Sequence, residues 1–114
     1  MGLLQVFYNG TWGTVCEHNF LNMDARVVCR QLNYTDQIEY GTLYSNGTES
    51  GPIWLDNVKC NGQESTIAAC QHNGWGINSC NHKNDIGITC YDSTFVPSTV
   101  LLYVQYFSFQ TYKW

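Results

Sequence analysis

Six cysteines, at positions 16, 29, 60, 70, 80 and 90, have the most chemistry to offer in this chain of 114 residues. A thiolate can ligate zinc, attack as a nucleophile, or pair as a disulfide. Structural zinc sites and thioredoxin-like redox sites use close pairs of the Cys-x-x-Cys kind, and no two of these cysteines lie that near. An even count in a short chain then reads as three disulfides, which form and persist outside the cytosol. Six cysteines allow fifteen pairings, and spacing alone does not choose among them. With every sulfur committed, no thiolate remains to act as a nucleophile. His18, His72 and His82 are the next candidates. They fall in three separate segments, with no His-x-x-x-His pair and no serine in a nucleophile-elbow motif, so neither a zinc centre nor a catalytic set is indicated. No enzymatic activity is expected of the chain.

Other features point to the same compartment. Asn9-Gly10-Thr11, Asn33-Tyr34-Thr35 and Asn46-Gly47-Thr48 are glycosylation sequons, making Asn9, Asn33 and Asn46 candidate acceptors. Asn9 and Asn46 each precede glycine and so also suit turns. The segment after Met1 is too short for the apolar core of a secretory signal and lacks a basic start. An extracellular composition without that signal reads as an excised fragment. Nine acidic against five basic side chains give a net charge of −4. That balance argues against nucleic acid, whose phosphates need clustered Lys and Arg. No apolar run reaches the roughly 18 residues of a membrane span.

These residues need elements to position them. Residues 3–16 read as a hairpin, with Leu4, Val6 and Tyr8 alternating against Gln5 and Phe7 and with Asn9-Gly10 as a two-residue turn. Residues 23–32 read as a helix capped by Asn22, with Ala25, Val28, Cys29 and Leu32 on its buried face and Arg26 and Arg30 on the other. Asn33 can end it in the left-handed region. Residues 33–52 read as a long loop with at most short strands. Residues 53–58 form a strand candidate, 64–70 a short second helix with Ile67 and Cys70 inward, 71–84 a loop rich in Asn, Gly and His, and 86–90 a final short strand. After Cys90 the composition changes: residues 91–114 hold eight aromatics and no cysteine.

Five blocks carry a resemblance. Residues 9–16 read NGTWGTVC, 24–32 DARVVCRQL, 50–60 SGPIWLDNVKC, 71–76 QHNGWG and 85–90 DIGITC. In this order and spacing they resemble the scavenger receptor cysteine-rich (SRCR) domain, over about residues 3–90. The resemblance implies an α+β fold: a small disulfide-rich domain in which a curved antiparallel sheet cradles one main helix plus a short second helix, with long loops. It implies the pairs Cys16–Cys80, Cys29–Cys90 and Cys60–Cys70. Two of these would close loops of about 60 residues, each worth on the order of 4 kcal/mol by loop entropy. Six cysteines are similar to the group A subclass, and Tyr34 stands where the eight-cysteine subclass carries another. Two departures stand out. The family begins some residues earlier, with a strand before the hairpin, and the tail after Cys90 is foreign to it. Residues 100–107 are a candidate to fill the sheet edge that strand would leave; an incomplete gene product with a poorly ordered tail is the simpler reading.

Members of this family can bind a cation, usually calcium, through two aspartates after the first cysteine and a glutamate before the last strand. The matching positions are Glu17, His18 and Asn84, with Asp85 and Asp24 nearby. One carboxylate of three survives, and calcium affinity rises with ligand charge, so a lost or weak site is expected. Polyanion recognition needs a basic cluster, and residues 1–90 offer only Arg26, Arg30, Lys59 and Lys83. Arg26 and Arg30 form the best patch. The strand used by some relatives for bacterial binding corresponds to residues 3–12, LLQVFYNGTW, without the usual charges. Trp75 is a candidate ligand contact, with a core role the favoured reading.

The reading is therefore an SRCR domain at residues 1–90, incomplete at its N-terminus, followed by an aromatic tail at 91–114. The resemblance implies a non-enzymatic extracellular module of scavenger-receptor type, within a receptor, a secreted defence protein or a larger mosaic protein. Its partner would be an extracellular protein or a microbial surface ligand; nucleic acid is excluded and calcium is the one cofactor raised. The alternatives are an accessory domain of a secreted mosaic enzyme (protease or amine oxidase) and a purely structural adhesion module.

Overall fold

The computed structural model describes residues 2–34, 36–42, 50–91 and 109–113. Strand β1 (Gly2–Tyr8) and strand β2 (Thr11–Val15) form the expected hairpin. Asn9 (φ 51°) and Gly10 (φ 80°) both occupy the left-handed region, the requirement of a type I′ turn whose twist matches the strands. Helix α1 (Asn22–Gln31) follows, then β3 (Asp36–Thr42), β4 (Ile53–Leu55), β5 (Ile86–Tyr91) and β6 (Phe109–Lys113). The strands make one sheet in the order β3-β5-β1-β2-β4, with β6 also on β1. The β3–β5, β5–β1 and β1–β2 pairs are antiparallel, while β2–β4 and β1–β6 are parallel.

Helix α1 lays Ala25, Val27, Val28 and Cys29 against the core, where they meet Leu4, Val6, Val15, Leu55, Ile86 and Ile88. Arg26 and Arg30 face outward. The cap is a difference from expectation. Leu21, not Asn22, occupies the N-cap, because its backbone N–H donates to Asp24 Oδ2 at 2.7 Å. A carboxylate in the first turn thus does the work expected of the Asn22 side chain. At the other end Asn33 (φ 70°) takes the left-handed position.

Three further differences concern loops. Residues 36–42 form a seven-residue strand on β5 inside the segment read as loop. Its register partners lie in β5, so long-range pairing rather than local propensity makes it a strand. The second helix is a single 3-10 turn, Ile67–Ala69, with Ile67 and Cys70 buried. Another 3-10 turn, His82–Asn84, sits in the segment read as loop. Residues 100–107 lie outside the described residues. The tail strand that pairs with β1 is Phe109–Lys113, in register Leu4↔Phe109 and Gln5↔Gln110.

Candidate functional site

Disulfides position the loops. Cys16 at the end of β2 joins Cys80, 64 residues on. Cys29 of α1 joins Cys90 of β5 across the core. Cys60 joins Cys70 around the 3-10 turn. The segment 50–84 holds little regular structure, so these bonds and a set of side-chain clamps supply its order.

Two histidine–aspartate pairs flank Cys16–Cys80. His82 Nδ1 lies 3.0 and 3.2 Å from the two carboxylate oxygens of Asp85. Its Nε2 lies 3.0 Å from the Gly51 carbonyl, so this ring clamps the 50–52 loop to the end of the 3-10 turn. Asp85 is fully buried and its backbone bridges to Cys16. The second pair joins His18 and Asp56, with Nδ1 to Oδ1 at 3.3 Å. That oxygen is buried and accepts no hydrogen bond, so the contact has ion-pair distance without hydrogen-bond alignment. His18 Nδ1 also lies 3.6 Å from Cys80 Sγ.

Of the residues named for a calcium site, His18, Asn84 and Asp85 have side-chain partners elsewhere, while the Glu17 carboxylate keeps a buried oxygen, Oε2, without a hydrogen bond. Glu17 donates its backbone N–H to the Asn84 carbonyl at 2.8 Å. Asn84 Oδ1 caps the Asn81 N–H at 3.1 Å. Asp85 turns to His82, and His18 to Asp56. A hard cation needs several oxygens converging on it, and the ligand groups found among the described residues include neither Glu17 nor Asp85.

An aromatic face lies beside this corner. The Tyr8 and Trp75 rings stack at 3.9 Å, nearly parallel. Trp54 stands edge-on to Tyr8 at 5.2 Å and to Trp75 at 6.4 Å. Its Nε1 donates to the Thr11 carbonyl at 2.9 Å. Trp54 and Trp75 pack against the core yet stay partly exposed. A groove of about 680 Å³ opens next to Trp54, lined also by Pro52, Asn78, Asn81 and Lys83.

Arg30 of the arginine pair is also tied to a neighbouring loop. Arg30 Nη2 donates to the Gly62 carbonyl at 2.9 Å and to the Glu64 carbonyl, pinning the loop beside α1. Glu64 accepts the backbone N–H groups of Asn61 and Gly62. Those bonds, Asn61's first, hold its carboxyl below the usual carboxylate range, with the Arg30 charge adding to them. Arg26 and Arg30 both remain exposed. Asp24 anchors the same loop by accepting the Cys60 N–H at 2.6 Å. Burial pushes its carboxyl up, against the lowering pull of the Leu21 and Cys60 N–H groups.

Asn9 and Asn33 are exposed, and Asn46 lies outside the described residues. Sequence reasoning missed Asp56, and it raised His82 only as one of three histidines weighed for zinc or catalysis. Asp56 was read only as a polar position in a strand, and its burial depends on the loop folding over it. No local signal could pair either residue with a partner 38 or 3 positions away by type alone.

Comparison with known proteins places these features in context. The scavenger receptor cysteine-rich domain matches residues 1–91. Lysyl oxidase homolog 2 of Homo sapiens is 47 % identical over 91 residues, which are 80 % of this chain and 12 % of that protein. The Gallus gallus protein of the same name is 47 % identical over 89 residues, 78 % of this chain and again 12 % of the relative. The chain thus spans about an eighth of the length of these curated relatives. Among solved structures, the SRCR domain of mouse MARCO in its dimeric form is 44 % identical with a TM-score of 0.68, covering 78 % of this chain and 84 % of that one. The third SRCR domain of murine neurotrypsin is 41 % identical with a TM-score of 0.65, covering 75 % and 80 %.

Proposed function

Because the chain belongs to the scavenger receptor cysteine-rich family, we propose that it is a non-catalytic extracellular recognition module, carried as an accessory domain of a larger mosaic protein and binding an extracellular protein. We place the family domain at residues 1–90 and residues 91–114 outside it. The observation behind the mosaic placement is the 47 % identity to lysyl oxidase homolog 2 over a segment that is 12 % of that relative. The choice of a protein ligand rests on charge. The net charge is −4 and Arg30 is engaged with backbone carbonyls, which leaves little to attract a polyanion. The groove beside Trp54 offers aromatic and amide groups on a frame stapled by Cys16–Cys80. A rigid frame lowers the ordering cost of association. No helix among the described residues is long and apolar enough to cross a membrane.

In a parent that carries an amine oxidase domain, deleting this segment should leave turnover of a small primary amine unchanged and lower kcat/KM for a protein substrate. Loss of small-amine turnover would put the segment in the catalytic machinery and overturn the proposal. On heparin-agarose at physiological salt the isolated chain should pass unretained. Retention there, or binding to bacterial cells, would favour scavenger-type polyanion recognition instead.

A further inference from the structure

We propose that Cys16, Cys80, His18 and Asp56 form a latent zinc site, closed by the disulfide in the oxidised protein and opened by a dithiol reductant. The four ligand atoms, two sulfurs, Nδ1 and a carboxylate oxygen, all lie within 4.8 Å of one another. This is an S₂NO set, which suits tetrahedral zinc and not calcium.

Two of the ligand pairs already have the spacing of ligands around one ion, and the two sulfurs, bonded in the disulfide, must separate to reach it. Zinc bonds of about 2.0–2.1 Å to nitrogen and oxygen, at tetrahedral angles, put those two atoms about 3.3 Å apart. His18 Nδ1 and Asp56 Oδ1 are 3.3 Å apart. A zinc–sulfur bond of about 2.3 Å puts sulfur and nitrogen about 3.6 Å apart. Cys80 Sγ and His18 Nδ1 are 3.6 Å apart. An independent observation points the same way. Asp56 is 4 % exposed, and Oδ1, the oxygen facing the cluster, is buried without a hydrogen bond. A buried carboxylate oxygen left so is costly, and a cation would satisfy it. Its other oxygen lies 3.4 Å from Asn73 Nδ2, the kind of outer contact that orients a ligating carboxylate. His18 is 47 % exposed and supplies the entry path.

The oxidised protein offers only His18 and Asp56, because disulfide sulfurs are poor ligands. Opening proceeds by thiol–disulfide exchange. One thiolate of the dithiol attacks Cys80, which is partly exposed while Cys16 is fully buried. The Cys16–Cys80 bond breaks and Cys16 leaves as a thiolate. The second sulfur of the dithiol attacks the mixed disulfide, closes to a cyclic disulfide and releases Cys80 as a thiolate. The dithiol is oxidised by two electrons, the protein disulfide is reduced by two, and the dithiol's two protons pass to water. Zinc then holds both sulfurs about 3.8 Å apart, and binding draws the exchange forward.

The test treats the folded, oxidised chain with one equivalent of dithiol, with and without zinc, and then desalts it. One zinc per chain should be retained, only after reduction. Alkylation mapped by mass spectrometry should find Cys16 and Cys80 protected until a chelator is added. Cobalt in place of zinc should give the intense visible bands of a tetrahedral ion with thiolate charge transfer. His18→Ala, at a half-exposed position, should weaken zinc binding at least tenfold, and Asp56→Asn should do the same. Three results would each overturn the proposal: equal zinc loading of the oxidised chain, alkylation of Cys16 and Cys80 at the same rate with and without zinc, and zinc retention unaffected by His18→Ala. The last is also what an unfolded chain binding zinc through loose thiols would give.

Discussion

Gly13→Ala tests the packing that holds the aromatic face. Gly13 lies in β2 opposite Val6 of β1, and its φ is not in the left-handed region. Its need for glycine is steric. A Cβ built there falls 2.4 Å from Trp54 Cδ1, 2.8 Å from Trp54 Cγ and 2.8 Å from the Pro52 carbonyl oxygen. Trp54 cannot yield cheaply. Its ring donates to the Thr11 carbonyl, its carbonyl accepts the Gly76 N–H at 2.8 Å, and its ring edges meet Tyr8 and Trp75. Overpacking alone costs about 1–3 kcal/mol. If the ring swings away, a hydrogen bond of about 1 kcal/mol and two aromatic contacts of about 0.5–1.5 kcal/mol each go with it. The expected loss is about 1–3 kcal/mol if the ring holds its place and about 2–4 kcal/mol if it swings away. Guanidinium unfolding followed by tryptophan fluorescence reads it, and the near-ultraviolet dichroism of the folded variant should change as well. Gly10→Ala is the control. It has nothing within 4 Å but a φ of +80°, so it should cost about 1–2 kcal/mol and leave the dichroism alone. A Gly13→Ala variant within 0.5 kcal/mol of wild type (a threshold of about the usual surface effect), or less damaged than Gly10→Ala, would refute this account of Trp54.

Three more outcomes are expected. Asp24→Ala should lose about 2–4 kcal/mol in a urea titration, because the Leu21 and Cys60 N–H groups are left without their acceptor. Since the folded Asp24 carboxyl titrates above its ordinary value of 3.8, its stabilising contribution is complete below that value and lost as pH rises through the folded one; Asp24→Asn should therefore gain on wild type as pH rises above 3.8, and a constant difference in urea midpoints would reject the shift. Removing Cys60–Cys70 by paired serines should cost about 3 kcal/mol and removing Cys16–Cys80 about 4 kcal/mol, from loops of 10 and 64 residues, with the order of the two midpoints as the check. Expression in a glycosylating host should give a mass loss with N-glycosidase, reduced in Asn9→Gly, which deletes a sequon on an exposed turn while keeping its φ of 51° accessible; an unchanged loss would clear Asn9.

What the residues determine alone is local or combinatorial. The hairpin turn follows from Asn9-Gly10, since few residues tolerate two left-handed positions in succession. The helix face follows from Ala25, Val28 and Cys29 at helical spacing, and its end from Asn33. The family was legible because five separated blocks agree in order and spacing, and that likeness carried the fold and the cysteine pairing that spacing left open. Tertiary structure decided the rest. Residues 36–42 became a strand because β5 offered a partner, which no composition of that segment announces. Asp24 displaced Asn22 as the cap because Cys60, 36 positions away, supplied a second N–H and made the carboxylate worth burying. Arg30, on the outer face the helical spacing predicts, also reached the carbonyls of Gly62 and Glu64. Asp56 and His18 came within 3.3 Å only when the Cys16–Cys80 bond folded the long loop back on the sheet. Local preference reads through a few neighbouring residues, whereas these pairings depend on distances that exist only once the loops are closed.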